Sequence, residues 1–387
     1  MGQQVRVLRS TRPRRPRLKQ TIEMIDGPGG TVILMRSSDN DVVIEDLTET
    51  DRRLLAAIDG NRKLEELEAM FGAGQVSAVL DELGRRHVIE DAADEDEIPA
   101  SVRRRLDRQL RYFSDVSQGT PTAAASQERL ETAEVAILGA GGLGGRVALD
   151  LAAIGVGTIR VVDGDVIELS NLNRQIQYAE ADIGRPKAVV LEERLLAFNS
   201  GVSVDARSER LDSEVGLTEF VDGASFVVNA ADWPPYVIER WCNVACFELG
   251  IPFISMSQIP PMMRVGPIYA PGRTGCFECT MTGLRRDHPF MDAAIEQRLG
   301  ADSVAATLSP TSGATASLVA MEILHFITGL VEPPSLGAAL TVDTRTMTIG
   351  REPVVRDPGC RVCGSIGARP DPCRGDHLGT DGAPLRF

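Results

Sequence analysis

Four glycines, Gly139, Gly141, Gly142 and Gly144, stand between an apolar run at residues 135–138 and a small-residue stretch that continues to Ile154. A second apolar run, residues 158–162, stops at Asp163. This is the order strand, tight turn, helix, strand. Glycines in such a turn let the backbone approach a phosphate, and the following helix offers free N–H groups and the positive end of its dipole. Asp163, at the end of the second strand, is placed to accept hydrogen bonds from ribose hydroxyls, which suits NAD or ATP alike. Asn171, Arg174, Gln175 and Lys187 then supply two fixed cations and two amides where a triphosphate would lie. Hydride transfer has little need of them, so the expected ligand is ATP. Asp232 follows another buried run, residues 226–229, at the carboxyl edge where doubly wound sheets bind ligands. It is the candidate for holding Mg2+, the alternative being a helix cap.

Seven cysteines include two C-x-x-C pairs, Cys276/Cys279 and Cys360/Cys363, while Cys242, Cys246 and Cys373 stand alone. In a chain without a signal peptide, two such pairs point to one tetrahedral zinc site rather than to disulfides. Four thiolates leave no open coordination position, so the expected zinc is structural.

Elements must carry these residues to one place. Alternating apolar runs and helical patterns from residue 134 onward imply an α/β fold, a Rossmann-like doubly wound sheet, as the body of the chain. A smaller α+β domain precedes it. Two β-like runs, TVILMR from Thr31 and DVVIED from Asp41, flank the turn-forming residues 37–40. Helical patterns at residues 47–58, 64–71 and 76–83 follow, and RRHVIED closes with a short strand. That is the pattern of a winged helix. Residues 1–20, with seven Lys or Arg and no acid, read as a disordered basic arm, residues 91–99 as an acidic linker, and the Gly-, Pro- and Asp-rich residues 365–387 as a disordered tail. The expected organisation is therefore an arm to residue 20, a winged-helix domain at 21–95, the nucleotide domain with its zinc at 96–364, and the tail.

The motifs DRQLR at 107–111, GAGGLGG at 139–145, DGDVIELSNLNRQ at 163–175, DIGRPKA at 182–188 and NAAD at 229–232, followed by the cysteine pairs, resemble in that order the ThiF/MoeB family of carboxylate-adenylating enzymes. GPIYAPGRTGCFEC at 266–279 and the extra N-terminal domain are most similar to the members that modify ribosomally made peptides, the microcin C adenylating enzymes among them. The small domain resembles the PqqD-like leader-peptide recognition element, in which an extended peptide adds as a strand. The resemblance implies that Arg108 reaches the ATP site of a neighbouring subunit, and hence a homodimer. It also implies that the zinc ties the C-terminal segment to the body. The family usually has Thr-Asp-Asn where this chain has Ala231, Asp232 and Trp233 followed by two prolines. Some relatives carry a thioester-forming cysteine in the region of residues 280–310; this chain has none there, and His288 is an incidental loop residue.

Composition excludes several classes. A net charge of −14 argues against non-specific nucleic-acid binding, no run reaches membrane-spanning length, and the N-terminus lacks an apolar core of a signal peptide, so the expected location is the cytoplasm. The expected activity is ATP-dependent adenylation of a carboxylate or carboxamide on a precursor peptide whose leader sits on the small domain. Arg174, Lys187, Arg108 and Mg2+ on Asp232 would neutralise the phosphates. Two rivals are adenylation of the C-terminal glycine of a ubiquitin-like sulfur carrier, and a non-catalytic leader-binding subunit of a cyclodehydratase. The joint presence of Asp163, Arg174, Gln175, Lys187 and Asp232 weighs against the second.

Overall fold

A computed structural model describes residues 12–36, 41–299, 306–365 and 385–386. The chain divides into two compact units, residues 1–127 with 375–387, and residues 128–374.

The larger unit is built on an eight-stranded sheet. Glu134–Leu138, Thr158–Val162 and Phe226–Asn229 are almost wholly buried, as central strands covered by helices on both faces must be. From Glu134–Leu138 the parallel strands step outward through Thr158–Val162 to Ser203–Arg207; the chain then crosses back to Phe226–Asn229 and Phe253–Ile259 on the other side. The switch point of this doubly wound arrangement lies between Glu134–Leu138 and Phe226–Asn229. Both carboxyl ends open into the crevice where such sheets bind ligands. Three antiparallel strands, Met262–Tyr269, Ala338–Asp343 and Thr348–Pro353, extend the sheet beyond the parallel part.

The helix Gly144–Ala153 follows the glycine turn and packs against Ser309–Thr328, with Ser317 Oγ donating to Asp150 at 2.8 Å. The apolar pattern of that second helix starts at Ala314. The helix begins five residues earlier, because Pro310 sits in the first turn, where its missing N–H costs nothing.

In the smaller unit Glu23–Asp26, Val32–Met35 and Val42–Glu45 form an antiparallel sheet, joined along its Val42–Glu45 edge by Leu385–Arg386. Val32, Leu34, Val42 and Ile44 pack onto Leu54, Leu55, Leu67, Val76, Val79, Leu80 and Leu83 of the helices Glu49–Ala57, Leu64–Phe71 and Ala73–Arg85. Thr48 caps the first of them in a reciprocal capping box with Asp51.

Two expectations for this unit change. The basic arm is folded from Pro16: Pro16–Leu18 pairs antiparallel with Ile89–Asp91. Arg14 reaches Asp91 at 2.9 Å and Asp94 at 2.8 Å, Arg15 reaches Asp96 at 2.7 Å, and Arg17 reaches Glu90 at 2.6 Å. The acidic stretch is correspondingly no linker; Ala92–Glu97 is a short 3-10 helix. Opposite charges 73 to 81 residues apart neutralise each other, which composition read along the chain cannot show. The helix Ala100–Val116 also belongs to this unit, tied to it by Lys19 Nζ donating to the Ser117 carbonyl at 3.0 Å. The division therefore falls after residue 127 and not near 95. Residues 1–11, Cys373 and nearly all of the tail lie outside the described residues.

Candidate active site

The glycine turn is held from several directions. Gly139 has φ +93°, and a Cβ there would press on the backbone of Ala230 at 3.1 Å. At Gly144 a Cβ would sit 2.0 Å from the Gly139 carbonyl oxygen, so only glycine closes this turn onto its helix. Asp163 accepts from the Ala140 N–H through Oδ2 at 2.7 Å and from the Asp165 N–H through Oδ1 at 2.8 Å. Burial pushes its carboxyl above the usual range, opposed by the charge of Lys187 and these two N–H groups. A carboxylate anchored in this way keeps lone pairs for two adjacent hydroxyls.

Arg174 and Gln175 come to the same turn. A side chain on Gly142 would meet Arg174 Cγ at 3.3 Å, and one on Gly141 would meet Gln175 Nε2 at 3.8 Å. Gln175 Oε1 is buried with no hydrogen-bond partner, an acceptor that a ligand donor would satisfy. Arg174 Nη1 donates to the Ser170 carbonyl and to Asn173 Oδ1 at 3.1 and 3.0 Å. Asn171 works locally: its Oδ1 caps the Glu168 N–H at 3.1 Å, and its carbonyl receives the Arg174 and Gln175 N–H groups at 3.0 and 2.9 Å. It shapes the loop that presents its neighbours.

Lys187 opens the helix Lys187–Phe198 and is buried, with Nζ 3.0 Å from Asp165 Oδ2. Asp165 Oδ1 also takes Arg210 Nη2 at 2.8 Å. Burial raises the Asp165 carboxyl, but these two cations outweigh it and hold the group below the usual range. Asp232 is exposed just beyond Asn229, the last residue of its strand. Glu239, half-buried at the start of the helix Val237–Leu249, lies behind it; burial, with the charge of Asp232 adding, pushes its carboxyl up to about 7. Arg108 sits on the other unit, its side chain 94% exposed, with Asp107 at 3.8 Å.

Sequence reasoning missed Gln177 and Tyr178. Gln177 Nε2 donates to the Ala140 and Gly141 carbonyls at 3.2 and 3.0 Å, and the Tyr178 hydroxyl donates to the Ala140 carbonyl at 2.8 Å while lying 3.1 Å from that of Lys187. They bolt the glycine turn to the helix carrying Lys187. Their position just after Gln175 was the one available clue. Asp165 and Arg210 were missed as well, since their contacts depend on loops meeting across the sheet.

The four paired cysteines converge elsewhere in the same unit. Their sulfurs all lie within 4.8 Å of one another, at 3.9 Å for Cys276–Cys279, 3.5 Å for Cys276–Cys360 and 3.4 Å for Cys279–Cys363. Four sulfurs about 2.3 Å from one tetrahedral ion stand about 3.8 Å apart, so the cluster fits zinc. The Asp357 N–H points at Cys279 Sγ at 3.4 Å, as backbone donors do around metal thiolates. Cys242 and Cys246 stand apart as a buried pair one helical turn from each other.

The ThiF family pattern matches residues 106–362, two thirds of the sequence, and takes in the chain from the glycine turn through Cys360. The chain belongs to the ThiF family. Among solved structures it is similar to E. coli MccB with ATP, at 26% identity and a TM-score of 0.71, over 90% of this chain and 99% of that one. The microcin C7 biosynthetic enzyme MccB in complex with N-formylated MccA matches equally, with 26% identity, a TM-score of 0.71 and the same shares of 90% and 99%. The sulfur carrier protein ThiS adenylyltransferase of Escherichia coli K12 is 31% identical over 248 residues, 64% of this chain and 92% of that protein. This ThiF-family chain is an adenylyltransferase. No helix among its described residues is long and apolar enough to cross a membrane.

Proposed function

We propose that this enzyme adenylates a carboxylate or carboxamide of a ribosomally made precursor peptide, whose leader is held by the N-terminal unit. The observation that carries this reading is the extent of the likeness to MccB. A match covering 90% of the chain must include much of the N-terminal unit, which lies largely outside residues 106–362. That unit offers a small antiparallel sheet with an edge at Val42–Glu45 that already accepts a short added strand, the geometry by which extended peptides dock on sheets.

In this reading the substrate oxygen attacks the α-phosphorus, the bond to the bridging oxygen breaks, and pyrophosphate leaves. The glycine turn supplies N–H groups for the phosphates, Asp163 takes the ribose hydroxyls, and Gln175 offers its unpaired carbonyl. Arg174 and Lys187 offset charge on the phosphates, which is where most catalysis of phosphoryl transfer originates. Arg108, 94% exposed on its helix, fills the same need in the site of a second copy, which makes the active species a homodimer. Asp232 is an exposed carboxylate at the mouth of the crevice and suits Mg2+, which binds through one or two carboxylates and the substrate phosphates. Such an ion would neutralise charge on the leaving pyrophosphate. Zinc in the four-cysteine site would be structural.

A second reading, adenylation of a sulfur carrier, draws support from the ThiS adenylyltransferase likeness, but that likeness spans only 64% of the chain. The deciding experiment is ATP–pyrophosphate exchange with a candidate precursor peptide and with a sulfur carrier. Exchange dependent on the peptide, and lost when residues 12–95 are deleted with Arg108 retained, is the expected result. Exchange dependent on the carrier alone would overturn it.

A further inference from the structure

Trp233 is 58% exposed, on the loop after Phe226–Asn229, immediately beyond Asp232. The Arg210 guanidinium lies over its ring, 5.8 Å from the centroid, and arrives from a different loop, the one after Ser203–Arg207. Those two strands are separated in the sheet by Glu134–Leu138 and Thr158–Val162, a span of three strand spacings, about 14 Å. The two loops therefore meet across the carboxyl ends of the strands that carry the glycine turn and Asp163. Their approach is built in. Backbone of the Arg210 loop packs on Gly164, where a Cβ would be 2.9 Å from the Arg210 nitrogen, and the Ala230 backbone packs on Gly139. Arg210 is fixed from its other side by Asp165 at 2.8 Å.

Nucleotide direction follows from the order of the strands. With phosphates at the glycine turn and ribose hydroxyls on Asp163, the sugar leads away from Glu134–Leu138 toward Ser203–Arg207. The base must then leave the sugar near Arg210 and Trp233. The indole there is exposed with the guanidinium over its ring, and an aromatic face backed by a cation is a stacking surface for a flat, electron-rich ring.

We propose that Trp233, backed by Arg210, is the platform on which the purine of ATP stacks, and that it governs nucleotide affinity rather than the chemical step. The proposal rests on the reading of the glycine turn as an ATP site. It makes Trp233 a binding residue beside Asp232, and it makes Asp165 the hub that positions both Lys187 at the phosphates and Arg210 at the base.

The chain has two tryptophans, Trp233 and Trp241, and Trp241 is packed against the core, so a Trp241→Phe protein reports on Trp233 alone. ATP and AMP should quench its fluorescence, whereas inorganic tripolyphosphate, which lacks a base, should leave it unchanged. In calorimetry Trp233→Ala should weaken ATP binding about tenfold or more and Trp233→Phe by no more than about threefold, as expected for loss or retention of one stacking face. The KM for ATP should rise in Trp233→Ala in step with the loss of affinity and should rise less in Trp233→Phe. ATP that binds with no change in Trp233 fluorescence, or with equal affinity in Trp233→Ala, overturns the platform while leaving the adenylation reading in place. ATP that does not bind the unaltered protein at all overturns both.

Discussion

Lys187 Nζ and Asp165 Oδ2 stand 3.0 Å apart at the edge of the nucleotide crevice, with only 8% of the lysine side chain exposed. A phosphate entering beside Lys187 must share or replace this partner, so the pair keeps a buried cation charged and in place before ATP arrives. Lys187→Ala should lower AMP formation by about 10²–10³-fold, the usual cost of removing one preorganised charge stabiliser. Asp165→Asn should act differently. It removes the nearest counter-charge of the buried Lys187, so the thermal midpoint should drop, and turnover should fall less than in Lys187→Ala. Equal loss of turnover in both variants would show that Asp165 does more than hold the lysine.

In the homodimer proposed above, Arg108 of one copy would complete the site that holds Lys187 in the other. Arg108→Ala and Lys187→Ala should each be nearly inactive alone. Mixed in equal amounts and allowed to re-associate, they should regain about a quarter of wild-type activity, because half of the random dimers carry one intact site. No recovery on mixing, with exchange of subunits verified, would place Arg108 in its own chain's site or in none.

The cysteine cluster should bring one zinc per chain. Cys360→Ser or prolonged chelation should lower the melting temperature markedly, since metal bound only by the folded state adds directly to folding free energy. Well under one zinc in freshly purified protein would refute the assignment.

Glu239 sets a pH dependence whose sign is fixed by its environment. Its folded pKa, near 7, lies above the ordinary carboxylate value near 4.3, so the folded state binds this proton more tightly than the unfolded state does. The group's unfavourable contribution is therefore absent at low pH, grows as pH rises between about 4.3 and 7, and is complete above that. Glu239→Gln should raise the melting temperature at pH 8 more than at pH 5. The same or a smaller gain at pH 8 would contradict the raised pKa.

Legibility in the sequence followed the range of the interactions. The glycine turn and Asp163 come together because both follow strand ends, which converge in a doubly wound sheet, and the loop after Asp163 brings Arg174, Gln175 and Lys187 back to them. The cysteines were readable because ligand chemistry leaves few alternatives for two C-x-x-C pairs. By contrast, Arg14, Arg15 and Arg17 read as a solvated arm because the carboxylates that pair with them are some 75 positions away. Gln177 and Tyr178 make their contacts to carbonyls of a turn encoded 36 to 38 residues earlier, and nothing in their immediate neighbours announces it. Asn171 was read as a ligand amide, whereas the structure engages its carbonyl oxygen in capping its own loop.

The zinc cluster joins residues 84 positions apart, which gives the metal a meaning during synthesis. Cys276 and Cys279 leave the ribosome as a bare dithiol, and their partners follow only after the long helix Ser309–Thr328 and the strands Ala338–Asp343 and Thr348–Pro353 have been made. An ion held by all four sulfurs would therefore require that the chain has been made through Cys363.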